Sequence, residues 1–472
     1  MSSYKNLISR VYKILFGSIG AKLIQFMMLP YFTVILTTNE YGQLEIMLTI
    51  ISLLGPLLNN GISLAVFRFS RDGDLEKRKE VFSSGAFFIV YLSILFLLFK
   101  ILITSLDIKL NNGISFIILI LLISFLLELS KEFLRSLEKI SMYSFSGFLE
   151  SFIFFILSFI LIKEYKVKGI LFAKFLSMTI ALLFVFFKAK LYLYLKIPKD
   201  HLKTLKEMFK YSLPLIPNSM MWWIMNSSDR FLIKYHQGYE LLGIYSIANK
   251  IPLLISLVSG VIILSWQSTA IDEFRKKEYN ELYNNVFNGI KILLFVIGIS
   301  ITLGIEWVTK VFLGVDYYSS WIYVPLLALG TIFSSFSAVV GINYIVAKKN
   351  KFSLLTNLLG AITNILLNIY FIKKYSILGA TLTTIFSYLI VFLCRVKNSE
   401  KISKLKINYA KFSLEILCYI AFYLVVLNKK GFVVNFGFYI ITILFYFYIN
   451  KIFILKIFRV IERKIKIKTK FL

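Results

Sequence analysis

Ile14–Leu36 reads ILFGSIGAKLIQFMMLPYFTVIL, twenty-three residues with a single charge, Lys22, and a single proline, Pro30. A helix of that length rises about 1.5 Å per residue and matches the roughly 30 Å hydrocarbon core of a bilayer. Lys5, Arg10 and Lys13 precede it, as in a secretory leader, but the run ends in Thr37-Thr38-Asn39 with no small-x-small cleavage site, so it is expected to stay attached. The same kind of run recurs along the chain. Spans are expected near 14–36, 42–66, 83–104, 114–134, 143–162, 169–187, 211–233, 241–267, 286–306, 321–346, 352–372, 379–394, 412–427 and 435–450, fourteen in all.

Composition requires the same class. Of 472 residues 58% are hydrophobic and 17% charged, against about 45–50% and about a quarter in a soluble chain. No water-soluble arrangement covers that much apolar surface. The net charge of +29 is no nucleic-acid footprint either, because Lys and Arg punctuate apolar runs instead of forming one basic face. Their distribution orients the chain: the breaks on the side of the N-terminus hold 37 Lys and Arg, the opposite breaks 11. That asymmetry in short loops predicts both termini in the cytoplasm. The chain is therefore expected to be an all-α polytopic membrane protein.

Six basic residues remain inside the spans: Lys22, Lys131, Lys174, Arg230, Lys250 and Lys291. A charge there costs about 2.5–3.5 kcal/mol unless it snorkels, pairs or meets water. Lys174 and Lys291 lie close enough to a helix end to snorkel. Lys131 belongs to a stripe, Glu128, Lys131, Glu132 and Arg135, whose spacing puts all four on one helix face and suits an ion-pair lattice between helices. Lys22 and Lys250 lie deeper and should face a protein interior or a wet cavity. Glu45 and Asp229 fall near the ends of the second and seventh spans opposite the N-terminus, and Glu150 falls within the fifth. Asn357, Asn364 and Asn368 form one polar stripe on the eleventh span, which serves either as helix glue or as a cavity wall.

Prolines repeat as well: Pro30 and Pro56 in spans one and two, Pro214, Pro217 and Pro252 in spans seven and eight. The turn Glu40-Tyr41-Gly42-Gln43-Leu44 matches Leu242-Gly243-Ile244-Tyr245. Span n thus resembles span n+6, which predicts two pseudo-symmetric six-helix bundles around a central cleft, residues 1–197 and 198–397, with two further helices and a basic tail in 398–472. Cys394 and Cys418 show no metal spacing, His201 and His236 lie far apart on loops, and no phosphate loop or nucleophile–base order stands out. No metal, cofactor or catalytic residue is expected, and the short loops leave no room for a membrane polymerase or ligase.

Leu29-Pro30-Tyr31, Glu40-Tyr41-Gly42 and the stretch from Gly61 to Phe67-Arg68-Phe69 resemble the start of bacterial polysaccharide-biosynthesis flippases. Tyr211-Ser212-Leu213-Pro214, Ser228-Asp229-Arg230, Leu242–Lys250 and Phe312-Leu313-Gly314-Val315-Asp316-Tyr317 extend the likeness, which covers about 7–395. The resemblance places the chain with the multidrug, oligosaccharidyl-lipid and polysaccharide exporters. It implies flipping of an undecaprenyl-pyrophosphate-linked oligosaccharide across the inner membrane for lipopolysaccharide or capsule, with the bilayer and polysaccharide polymerase machinery as partners. A pyrophosphate head needs cations in a sealed cavity. Lys22, Arg230 and Lys250 are candidates, with Arg68 as a first contact, Asn357, Asn364 and Asn368 for sugars, and Glu45 and Asp229 for ion coupling. A multidrug or cation antiporter on the same scaffold is the alternative; it would want a net acidic cavity and usually twelve helices.

Overall fold

The computed structural model describes residues 20–59, 61–71, 73–105, 112–197, 200–428 and 431–455. The start of the first expected span (14–19), part of the break near 100–113 and most of the basic tail (456–472) lie outside them. The described chain is helical throughout, with no strand. Its helices are α1 (Gly20–Ile35), α2 (Thr38–Leu58), α3 (Ile62–Arg71), α4 (Leu75–Ser105), α5 (Asn112–Ser136), α6 (Ile140–Lys188), α7 (His201–Ser212), α8 (Ile216–Lys250), α9 (Leu253–Glu273), α10 (Tyr279–Phe312), α11 (Val324–Val346), α12 (Asn350–Ser399), α13 (Tyr409–Leu427) and α14 (Phe432–Ile449).

Helices and membrane crossings do not correspond one to one. At 49 and 50 residues, α6 and α12 would each run about 75 Å if straight, far more than one bilayer. Each instead turns back on itself, at Lys166 (φ 46°) and at Ser376 (φ 55°). A Cβ on Gly169 would meet the carbonyl of Leu161, and one on Gly379 the carbonyl of Phe371, residues about 12 Å apart along a straight helix. Helix α8 turns likewise at Gly238 (φ 85°). Among the described residues eight stretches are long and apolar enough to cross a membrane, three of them containing these turns. With α1, the α2–α3 pair and α5 the crossings number fourteen, as the apolar runs predict. Spans 143–162 and 169–187 are the arms of α6; 352–372 and 379–394 are the arms of α12.

The repeat is visible in the backbone. Glu138 (φ 60°) and Lys166 recur 210 positions later as Lys348 (φ 57°) and Ser376. The chain reversal that lets Lys139 N–H donate to Leu134 at 3.0 Å recurs with Lys349 and Tyr344 at 2.8 Å. The chain forms two compact units, Met1–Ser246 with Phe312–Tyr317, and Ile247–Val311 with Tyr318–Leu472. In the first, Val66, Phe82, Phe125, Phe133 and Met208 pack α3, α4, α5 and α7 together. In the second, Phe295, Phe336 and Phe392 stack toward Phe412 and Tyr446, which docks α13 and α14 onto α10–α12. Lipid is as apolar as these side chains, so such helices associate through close packing and hydrogen bonds rather than through exclusion of water.

Candidate functional site

The first unit is tied together around the turn between α1 and α2. Thr37 caps α2 reciprocally with Glu40, and Glu40 also pairs with Lys166 at 2.6 Å. Tyr31 donates to the carbonyl of Phe159 (2.7 Å) and stacks on its ring. The segment after α10 joins here: Gly314 N–H donates to Thr33 Oγ1 (3.0 Å) and Tyr317 OH to the carbonyl of Leu36 (3.0 Å). Two glycines form a reciprocal seam between α2 and the second arm of α8. A Cβ on Gly42 would strike the carbonyl of Tyr239, and one on Gly243 the carbonyl of Thr38. Only glycine permits that approach, and the matched turns noted in the sequence are the two sides of the seam.

One turn beyond the seam lies a buried charge cluster. Arg230 Nε donates to Glu45 Oε1 (3.0 Å), and Nη1 lies 3.3 Å from Asp229 Oδ1 and donates to the carbonyl of Asn226 (2.6 Å). Asp229 also accepts the backbone N–H of Arg230 (2.9 Å) and the hydroxyl of Tyr245 from the other arm of α8. Glu45 is 5% exposed and Asp229 2%. Neighbouring helical residues diverge by about 100°, so Asp229 and Arg230 need not touch; the arginine is long enough to bend back, and the contact forms. Glu45 thus meets this arginine. One guanidinium thus bridges two carboxylates in a low-dielectric wall, where an ion left without its partner is strongly disfavoured.

Lys22 is exposed on α1, and Arg68 is exposed on α3. Lys250 is half-buried and ends α8 beside the break at Pro252, in the second unit, where helix carbonyls favour a cation. Asn357, Asn364 and Asn368 are buried in α12: Asn357 Oδ1 accepts from Arg395 Nη2 (2.8 Å), and Asn368 Nδ2 donates to Asn364 Oδ1 (2.9 Å).

Two lysines expected to snorkel are paired instead. Lys174 Nζ donates to Glu150 Oε1 at 2.8 Å, and Glu150 Oε2 lies 3.9 Å from Lys131. Arg135 pairs with Glu132 at 3.0 Å, completing the lattice that the stripe predicts. Lys291 Nζ donates to Glu415 Oε1 at 2.6 Å, and Asn450 Nδ2 donates to the same oxygen at 3.0 Å, joining α10, α13 and the end of α14. Sequence reasoning missed Glu415, although a lone acid in the apolar run 412–427 signals a partner. Among the described residues no group of three or more His, Cys, Asp or Glu is placed to hold a metal.

Residues 9–271, more than half of the chain, match the family described as polysaccharide biosynthesis protein. No curated protein is close enough in sequence to match. Among solved structures the chain is similar to the lipid II flippase MurJ in an inward closed conformation, with 16% identity and a TM-score of 0.71 over 93% of this chain and 98% of that one. It is also similar to an inward-facing multidrug resistance MATE family transporter of the MOP superfamily, with 15% identity and a TM-score of 0.61 over 81% and 95%. A MOP superfamily transporter from Pyrococcus furiosus follows at 15% identity and a TM-score of 0.55 over 84% and 96%. At these identities the shared property is the fold.

Proposed function

The chain belongs to the polysaccharide biosynthesis protein family, and we propose that it flips an undecaprenyl-pyrophosphate-linked oligosaccharide across the bacterial cytoplasmic membrane, by alternating access, for assembly of a cell-surface polysaccharide. On this reading both termini are cytoplasmic, which the 37-to-11 distribution of basic residues supports. Residues 1–197 and 198–397 are the moving halves, and 398–472 is an addition carried by the second. The turn between α1 and α2 then faces outward. The glycine seam supports an assignment of this conformation as closed on that side.

The observation that carries the reading is Arg230, held between the buried Glu45 and Asp229. A guanidinium offers a planar fork that suits phosphate as well as carboxylate. An arriving pyrophosphate competes with the two acids for this fork, and a proton on either acid weakens that acid's hold. Substrate binding, protonation and release of the α2–α8 contact thereby share one group. Release also frees the seam next to it, which links the chemistry to opening. Lys22 and Lys250 serve as further cations along the path.

The test is translocation of a labelled undecaprenyl-pyrophosphate oligosaccharide in vesicles holding the full chain, read by exposure of the sugar to an external glycosidase. Arg230→Gln is expected to abolish flipping. Glu45→Gln is expected to retain it with loss of the response to an imposed proton gradient. Unchanged flipping by Arg230→Gln would overturn the mechanism. Extrusion of cationic dyes with no glycolipid flipping would establish the antiporter instead.

A further inference from the structure

A cavity of about 610 Å3 opens where α3, the start of α4 and the end of α7 meet, lined by Arg68, Phe69, Gly73, Asp74, Lys77 and Tyr211. Its size falls within the roughly 300–1,000 Å3 of small-molecule sites. It belongs to the first unit and contains none of the Glu45, Asp229 and Arg230 side chains. The rings of Phe69 and Tyr211 meet edge to face at 5.9 Å and form one wall. Arg68 and Lys77 supply the cations. Asp74, the one acid lining it among the described residues, has its Oδ1 engaged by the backbone N–H of Lys77 (2.8 Å), where it caps α4. Glu207 lies 3.8 Å from the Lys77 ammonium with both side chains nearly half exposed, a weak pair that an anion can replace. A Cβ on Gly73 would lie 2.9 Å from Lys77 Cγ, so glycine keeps the floor clear of the lysine stem.

Two cations, an aromatic wall and one committed carboxylate suit a ligand that is anionic at one end and ring-shaped at the other. A guanidinium and an ammonium hold phosphate oxygens through charge-assisted hydrogen bonds, and an aromatic face packs against the apolar face of a sugar. We propose that this cavity docks the pyrophosphate and first sugar of the lipid-linked substrate before translocation, with Arg68 and Lys77 on the phosphates and Tyr211 against the sugar. The proposal rests on the flippase reading for the identity of its ligand. By the positive-inside rule this corner is cytoplasmic, the side from which such a substrate arrives. Phosphate could also come from a bulk anionic phospholipid or from free pyrophosphate, and the experiment separates the three.

The experiment measures equilibrium binding to the full chain in neutral phosphatidylcholine nanodiscs, with no translocation required, so failure of the site and failure of the flippase reading are distinguishable. Probes are undecaprenyl pyrophosphate with and without one sugar, phosphatidylglycerol and inorganic pyrophosphate. The Arg68→Gln/Lys77→Gln double variant should bind both pyrophosphate lipids at least about tenfold more weakly, the loss expected of a charge-assisted contact. Tyr211→Leu should weaken only the sugar-bearing probe, by about threefold. All of these side chains are at least one-third exposed, and unchanged unfolding midpoints will show that the variants fold. Unaltered binding by the double variant would overturn the site. Phosphatidylglycerol or inorganic pyrophosphate binding as tightly as the polyprenyl lipid would overturn the substrate assignment.

Discussion

The α5–α6 hairpin and the α11–α12 hairpin share a backbone and treat charge between their helix arms in opposite ways. In the first, Glu150 sits between Lys131 and Lys174. At the positions 210 further on stand Gly360, Gly341 and Thr384, and all three charges are gone. The second hairpin brings its own cation from another helix arm. Arg395 donates to Thr356 Oγ1, to the carbonyl of Ser337 and to Asn357 Oδ1, at 3.0, 2.8 and 2.8 Å. Among the described residues no carboxylate pairs with it. A Cβ on Gly341 would lie 2.7 Å from Arg395 Nη1, and one on Gly147, the counterpart of Asn357, lies 3.6 Å from Lys131 Nζ. Both hairpins thus keep room for a cation beside a glycine. In the first unit Lys131 and Lys174 are balanced by an ion, Glu150, and in the second Arg395 is balanced by the dipoles of Thr356, Ser337 and Asn357.

The largest effect expected from this contrast is at Glu150. Glu150→Gln leaves Lys131 and Lys174 facing each other in a low-dielectric wall and should destabilise the protein by about 3 kcal/mol, the scale of a broken buried ion pair. Asn357→Ala removes one hydrogen bond to a charge and should cost about 1.5 kcal/mol. Unfolding of the purified chain in mixed micelles, followed by helix content, measures both. Equal losses would mean that Asn357 compensates Arg395 as fully as Glu150 compensates its lysines, and the contrast would disappear.

A smaller effect tests the slot itself. Gly341→Ala pushes a methyl against the Arg395 guanidinium and should cost about 1–3 kcal/mol through overpacking. Gly147→Ala meets Lys131 at ordinary contact distance and should stay within about 0.5 kcal/mol. The same unfolding experiment applies, and a reversed order would show that the two slots are not equivalent.

The sequence discloses the crossings better than the contacts. The breaks at 163–168 and 373–378 are legible because polar residues interrupt apolar runs, and the turns at Lys166 and Ser376 fall inside them. Nothing in the sequence marks Lys166 or Ser376 as the residue with positive φ, since neither is Gly, Asn or Asp. Asp229 and Arg230 are legible as buried charges, yet the partner from α2 depends on a helix crossing that only the fold provides. Arg395 escapes for another reason: it follows Cys394 at the edge of an apolar run, where a loop cation and a buried one look alike. Lys291 is near enough to a helix end to suggest snorkelling, and only the docking of α13 brings Glu415 to it.

The smallest expected effect separates the two hairpin turns. Lys166 and Ser376 hold nearly the same backbone conformation, φ 46° and ψ −123° against φ 55° and ψ −134°. Side chains other than glycine are strained there, by about 1 kcal/mol or more. Glycine relieves that strain, although it also gives the unfolded chain more freedom to lose. The net gain for Ser376→Gly should be about 0.5–1 kcal/mol, because among the described residues the Ser376 side chain makes no hydrogen bond that would be lost with it. Lys166→Gly relieves the same strain but deletes the 2.6 Å pair with Glu40. That pair is half exposed on the lysine side, so it is worth at most about 1 kcal/mol, and the two changes should nearly cancel. Unfolding midpoints should therefore rise for Ser376→Gly and stay level for Lys166→Gly. The double variant Glu40→Gln/Lys166→Gly then isolates the strain, because against Glu40→Gln alone it should show the same gain as Ser376→Gly. If it does not, the two turns differ in backbone energy despite their matching angles, and the repeat is closer in shape than in stability.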